Sequence, residues 1–343
     1  MLSLKSVRRA LAAWPAAIVS ISLAGCAVAQ EAPAATAPEA KGETLVIPVP
    51  DYRPPESIQR IAVPAVPDEE LVKVLIITGE NSYEHDWTGV NTALRNAFLD
   101  SGRFDVRIIE DFSTATAETL EPYDVVLINY LGRWNYTDED EKRWGPVAEK
   151  ALFDYVEQGG GVVVYHASFN MGSPSWPEFE RLAGGTMRPY HGSRKAPPHA
   201  FQVHITDQDH PVTSGMREYY WALMEDMYTN LYWHPDAEIN VLATAYESAD
   251  MYEPAKAGPK YPPEKYTDEK LAAMEGMNAE NPVVWTVEYG EGRVFCITMG
   301  HGPDALQFEG TRGLVVRGTE WAATGNVSVA VEKSMRAPPG ADE

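Results

Sequence analysis

The sequence predicts an α/β protein built on a mostly parallel sheet with helices on both faces. Between residues 72 and 165, four short runs are apolar almost throughout. Continuous apolar runs of that length mark strands buried on both sides, as in parallel sheets. The segments between them carry helical spacing, and glycine and proline fall at the joints.

Val72 to Thr78 is the first strand. Thr88 to Leu99 follows as a helix, with Val90, Leu94, Ala97 and Phe98 on one side. Phe104 to Ile109 and Tyr123 to Tyr130 read as the second and third strands. Thr137 to Val156 reads as a helix that Gly145-Pro146 breaks in two. Gly159-Gly-Gly ends it, because glycine tolerates left-handed geometry there, and Val162 to Tyr165 is the fourth strand. The second half is less regular. Phe201 to Ile205 and Ile239 to Ala243 suit strands. Val283 to Val287 and Arg293 to Thr298 form a hairpin about Tyr289-Gly-Glu-Gly292. Ala305 to Ala323 is the closing helix. Residues 246–281, rich in Pro, Lys, Tyr and Glu, read as an insertion and a lid over the site. The folded domain spans 71–326, with a tail at 327–343.

The amino terminus is an export signal. Lys5, Arg8 and Arg9 precede an apolar stretch from Ala10 to Leu23, too short to span a bilayer comfortably. Leu23-Ala24-Gly25-Cys26 resembles a bacterial lipobox, with Cys26 as the lipidated residue and 1–26 as the signal. Ala27-Val28-Ala29 also fits ordinary signal-peptidase cleavage. Both readings make the protein exported and periplasmic, and the first attaches it to the membrane through a lipid only. Residues 27–70, rich in Ala, Pro and Glu, read as a tether and lead-in. The chain carries −22, and removing Lys5, Arg8 and Arg9 takes it to −25. Such a surface repels phosphate backbones and excludes nucleic acid as a partner. Of the two cysteines, Cys296 sits in the apolar run Val294-Phe-Cys-Ile297 and reads as a buried hydrophobe.

The chemistry gathers at strand ends. Gly159-Gly-Gly-Val-Val-Val-Tyr-His166 reads as a strand leading into a sharp turn, where elbow architectures hold a nucleophile. Here the position holds histidine, which binds metals and shuttles protons and makes a poor covalent nucleophile. His85 follows the first strand and His301 the last. Ligands of open α/β sheets bind beyond the carboxyl ends of the strands, so parallel strands would bring the three imidazoles to one rim. Three histidines suit a divalent ion, zinc first, with one position open. Glu225-Asp226-Met-Tyr228 offers carboxylates, Asp226 as the general base, although a solvated turn is the alternative for that segment. Arg133 and Trp134 follow the third strand and read as substrate contacts, with Trp87, Tyr228 and His191. Aromatic faces beside polar groups suit sugar rings. His199 can reach the same rim from its loop, and His204 reads as structural.

The chain resembles the ThuA-like (trehalose utilisation) domain family from about Val72 to Gly325. The resemblance is carried by Val74-Leu-Ile-Ile-Thr-Gly with His85-Asp86; the block ending at His166; Asp209-His-Pro-Val-Thr-Ser-Gly215; Glu225-Asp-Met-Tyr228; Trp233-His-Pro-Asp-Ala-Glu238; Pro282-Val-Val-Trp285; and Tyr289-Gly-Glu-Gly-Arg-Val-Phe295, leading to Met299-Gly-His301 and Arg317-Gly-Thr-Glu-Trp321. It implies a flavodoxin-like fold similar to class I glutamine amidotransferases. Those enzymes hold cysteine where this chain has His166, so glutaminase chemistry is excluded. It also implies carbohydrate catabolism, with an oxidised (3-keto) sugar or a glycoside as substrate and a partner oxidoreductase nearby. The residues it carries over are His85, His166, Asp226, Tyr228 and His301. Two readings follow: a metal-assisted hydrolase, lyase or isomerase acting on a sugar, or a non-catalytic glycan-binding lipoprotein.

Overall fold

The computed structural model describes residues 70–79, 85–131, 144–171 and 176–338. The segment expected to be an export signal with Cys26, nearly all of the expected tether, Arg133, Trp134 and the first piece of the helix expected from Thr137 lie outside them.

The first half alternates strand and helix. β1 (Val72–Ile77), α1 (Trp87–Asp100), β2 (Phe104–Ile109), α2 (Ala117–Leu120), β3 (Val125–Ile128), α3 (Pro146–Glu157) and β4 (Gly161–Tyr165) follow in order. After β4 come a 3-10 turn at His166–Asn170, α4 (Pro177–Ala183) and two short strands, β5 (Gly185–Thr186) and β6 (Arg194–Lys195). The second half holds β7 (His199–Ile205), β8 (Tyr219–Glu225), β9 (Tyr228–Thr229), β10 (Tyr232–Trp233) and β11 (Glu238–Glu247). It continues through α5 (Pro254–Ala257), α6 (Asp268–Ala272), β12 (Ala279–Tyr289), β13 (Gly292–Ile297), a 3-10 turn at Pro303–Gln307 and α7 (Glu309–Thr324).

One nine-stranded sheet runs β2-β1-β3-β4-β13-β12-β11-β7-β8. The first five strands are parallel, in the flavodoxin-like order with its reversal between β1 and β3. From β12 outward every pairing is antiparallel. The apolar runs explain the first half. Val162, Val163 and Val164 are fully buried on alternating faces, each worth about 1.5–3 kcal/mol relative to exposure. Val163 packs in the core shared with α1 and α7, and its two neighbours pack in the core shared with α3 and α4. Cys296 is buried against the Ala183 carbonyl, and burial pushes its thiol up, away from the reactive thiolate.

Several elements differ from the sequence pattern. β3 is shorter than Tyr123 to Tyr130. The closing helix begins at Glu309, because Pro303 opens a separate 3-10 turn and Phe308 is extended. β8 is a strand that the aromatic run around Trp221 hid. β11 extends through Glu247, whose register partner is Ala279, so the insertion shrinks to 248–278. That segment is packed down through buried Tyr252 and Leu271.

Candidate functional site

β1, β4 and β13 end on the same side of the sheet; His166 directly follows β4, and His85 and His301 come after β1 and β13 in the chain. At the end of β4 the chain turns sharply, with His166 at φ +40°. Such backbone costs on the order of 1–3 kcal/mol and persists only where surroundings hold it. Here they do. The His166 Nδ1–H donates to the Thr298 carbonyl at 2.6 Å, which ties the elbow to the end of β13 and leaves Nε2 as the lone-pair nitrogen. Ser168 clamps the other side, donating to the Ile128 carbonyl and accepting from the Tyr130 amide.

His85 is placed by the helix it precedes. Asp86 caps α1, accepting from the Gly89 amide at 2.9 Å and the Thr88 hydroxyl at 3.0 Å. A Cβ on Gly89 would lie 2.2 Å from that carboxylate, so the cap needs glycine there. A buried ladder from Asn129 to Asn91 to Thr78 locks the start of the loop to α1 and β3. His301 is placed from the antiparallel half. Glu225, at the end of β8, accepts the Gly300 and His301 amides at 3.0 and 3.1 Å, and Tyr165 donates to the Gly300 carbonyl. Gly300 stands at φ +116°, and a Cβ there would collide with the Tyr165 hydroxyl. Only glycine lets the strand end fold over β4.

The three imidazoles meet. A nitrogen from each of His85, His166 and His301 lies within 4.8 Å of the other two. Their ring centroids stand 4.9–5.3 Å apart. His166 Nε2 and His301 Nδ1 are 3.3 Å apart. Two nitrogens bound ~2.0–2.1 Å from a tetrahedral ion stand ~3.3–3.4 Å apart, so the separation suits a zinc-like ion, which would take His301 Nδ1 only in place of the proton shared with Asp226.

Charge around the cluster is ordered. Asp226 lies 3.2 Å from His301 Nδ1 and 3.0 Å from Lys195 Nζ. Burial alone would raise its carboxyl. The His301 hydrogen bond and the Lys195 and imidazole charges outweigh that and hold it well below the usual carboxylate range. His166 is pushed well below the usual imidazole range by burial, then by His85, His301 and Lys195, with Asp226 opposing. It stays neutral, as a metal ligand must. The Tyr228 hydroxyl, 3.4 Å from His166 Nε2, is pushed up to about 12 by burial and remains a donor. Burial raises Glu225 to about 7, against the amide hydrogen bonds that favour its charged form.

The family model for ThuA, trehalose utilisation, matches residues 73–322 and so spans the sheet and every residue of this cluster. The chain belongs to the ThuA family. A ThuA-like protein of Parabacteroides merdae is 26% identical with a TM-score of 0.61, over 78% of this chain and 95% of its own. A ThuA-like protein of Bacteroides uniformis shares the fold at 22% identity and a TM-score of 0.53, over 77% and 94% of the two chains. No curated protein matches. Membership points to a carbohydrate-related function.

Within the ThuA domain, His85, His166, His301, Asp226 and Tyr228 come together. The solvated-turn alternative for Glu225-Asp226 does not hold, since the two are only 1% and 5% exposed. Trp87 stands half-buried at the start of α1, and His191 stands exposed in a 3-10 turn; no described contact joins either to the imidazoles. His199 opens β7 opposite Glu225 and does not enter the cluster. His204 stacks on Tyr219 at the surface. Sequence reasoning missed Lys195 and Thr298. Lys195 lies in a two-residue strand with no periodicity to find, and Thr298 acts through its carbonyl, which any residue has.

Proposed function

We propose that this ThuA protein is an exported, metal-assisted enzyme acting on an oxidised (3-keto) sugar or a glycoside. The observation that supports this most is the convergence of three imidazoles beside an ionised Asp226. His85, His166 and His301 would hold a divalent ion, zinc first. Such an ion supplies a Lewis acid that polarises a keto or hydroxyl oxygen or activates water. Asp226 is the general base, kept ionised and oriented by Lys195. Tyr228 donates a hydrogen bond to a substrate oxygen. Glu225 holds the loop carrying His301 in place. In the cell the protein is periplasmic, anchored through a lipid on Cys26, with an oxidoreductase that supplies the oxidised sugar as its partner.

The test is elemental analysis of the purified domain beside His166→Ala and His301→Ala, followed by incubation with 3-keto-sugars and glycosides. About one equivalent of metal, lost in both variants, with turnover lost alongside, is the expected result. The products then separate hydrolysis, elimination and isomerisation. Absence of metal after reconstitution overturns the metal-assisted reading and leaves histidine acid–base catalysis or a non-catalytic glycan-binding protein.

A further inference from the structure

The outer face of the antiparallel half carries aromatic side chains that the core does not use. Trp221 on β8 is 58% exposed and Tyr246 on β11 is 46% exposed. Both line one hollow of about 400 Å³, together with Gln202, His199, Asp250 and Lys256. Gln202 is the register partner of Trp221, so amide and indole stand side by side. The remains of the insertion supply the opposite wall through Asp250 and Lys256. A second hollow of about 510 Å³ lies on the other side of Trp221, bordered by Arg217, Tyr219 and Gln307. Trp221 and Gln202 line both.

The arrangement is that of a ligand trough. Each hollow falls in the size range of small-molecule sites. The first hollow is mainly apolar, with Trp221, Tyr246 and Met251 on its walls, and Gln202, Asp250 and Lys256 bring hydrogen-bonding and charged groups beside the rings. Flat rings cover the C–H faces of pyranoses, and amide, carboxylate and ammonium groups reach their hydroxyls. His199 adds a further polar group. Its Nδ1 is bonded to the Pro197 carbonyl, and its buried Nε2 has no hydrogen-bond partner among the described residues. His199 is also the register partner of Glu225, which holds the His301 loop. His199 is the point where the trough meets the strand pair that ends at Glu225. Trp221 lies four residues before Glu225 on β8, ~13 Å of strand. An oligosaccharide spans the two hollows that share Trp221 and Gln202, and a monosaccharide does not.

We propose that this face is a glycan-binding trough, with Trp221 as its central stacking platform, and that it takes a chain of neutral sugars laid across the two hollows. The ligand class rests on the carbohydrate reading above; the position of the trough does not.

The test is calorimetric titration of the intact metal-loaded protein with cellotetraose, maltotetraose and laminaritetraose, with glucose as control. At least one tetrasaccharide is expected to bind more tightly than glucose. Trp221→Ala and Tyr246→Ala should each weaken it about tenfold or more, and Trp221→Phe should keep most of the affinity. Metal content should be unchanged in all three. Absence of tetrasaccharide binding overturns the proposal, as does binding that neither alanine variant weakens. Sedimentation showing a dimer that Trp221→Ala dissolves also overturns it, by assigning the face to a second copy. A failure of the metal reading appears separately, as missing metal in a protein that still binds the tetrasaccharide through Trp221.

Discussion

The two halves of the sheet divide the work. The parallel half, β2-β1-β3-β4-β13, is buried on both faces and delivers three imidazoles from its carboxyl edge. The antiparallel half supplies Glu225 at the end of β8 and Asp226 directly after it, and a separate two-stranded pair, β6 with β9, supplies Lys195 and Tyr228. Parallel strands all end at one edge, so they converge neutral ligands without further design. The antiparallel strands bring carboxylates and a lysine to the same place from the opposite direction. The three imidazoles and the charged groups beside them thus come from different strands and loops, and substitutions can tell them apart.

The largest effect should come from the parallel half. His166→Ala and His301→Ala should each remove bound metal and turnover together. If one variant keeps its metal, the three imidazoles are not one site. Asp226→Asn should act the other way. Its metal content should hold while kcat falls on the order of 10²–10⁴-fold. Loss of metal in Asp226→Asn would erase the division, making the carboxylate a ligand.

Glu225 tests the joint between the halves. Its folded pKa is raised, so the stability it contributes is present below the ordinary glutamate value and lost as pH rises through about 7. Relative to Glu225→Gln, the wild type should lose on the order of 2–3 kcal/mol between about pH 4.5 and 7. Thermal melts across that range read it. Parallel melting curves at every pH would mean that Glu225 is ionised throughout.

Lys195→Met should lower kcat about tenfold and move the acidic limb of the pH–rate profile upward. Without the cation Asp226 binds its proton more readily. An unmoved limb would show Lys195 to be a packing residue only. The smallest effect is expected at the cap. Asp86→Ala should cost about 1 kcal/mol in urea melts, with weaker metal retention because His85 precedes it. A normal metal affinity would mean that the Asn129–Asn91–Thr78 ladder places the loop alone.

The same division governs what could be read from the chain. Val162 to Tyr165 and the runs before it declared the parallel half, because burial on both faces leaves an unbroken apolar signal. Their following histidines were therefore legible as strand-end residues. The antiparallel half was less so. β8 mixes exposed Trp221 with buried Tyr220, and a bulge opposite His199–Phe201 shifts its alternation before Glu225. Periodicity could not separate a strand from a turn there. Trp87 and His191 had the right residue types near the right loops, and nothing local says which way such a loop runs.

The sequence by itself determined the α/β class, the buried strands, the acidic surface and the pattern of an export signal, because each depends on local composition and period. Only the tertiary structure decided that His85, His166 and His301 share one point, that Asp226 is buried and charged beside Lys195, and that Trp221 stands over an open trough. Those facts depend on strand order, register and burial, which are set by pairings between segments far apart in the chain.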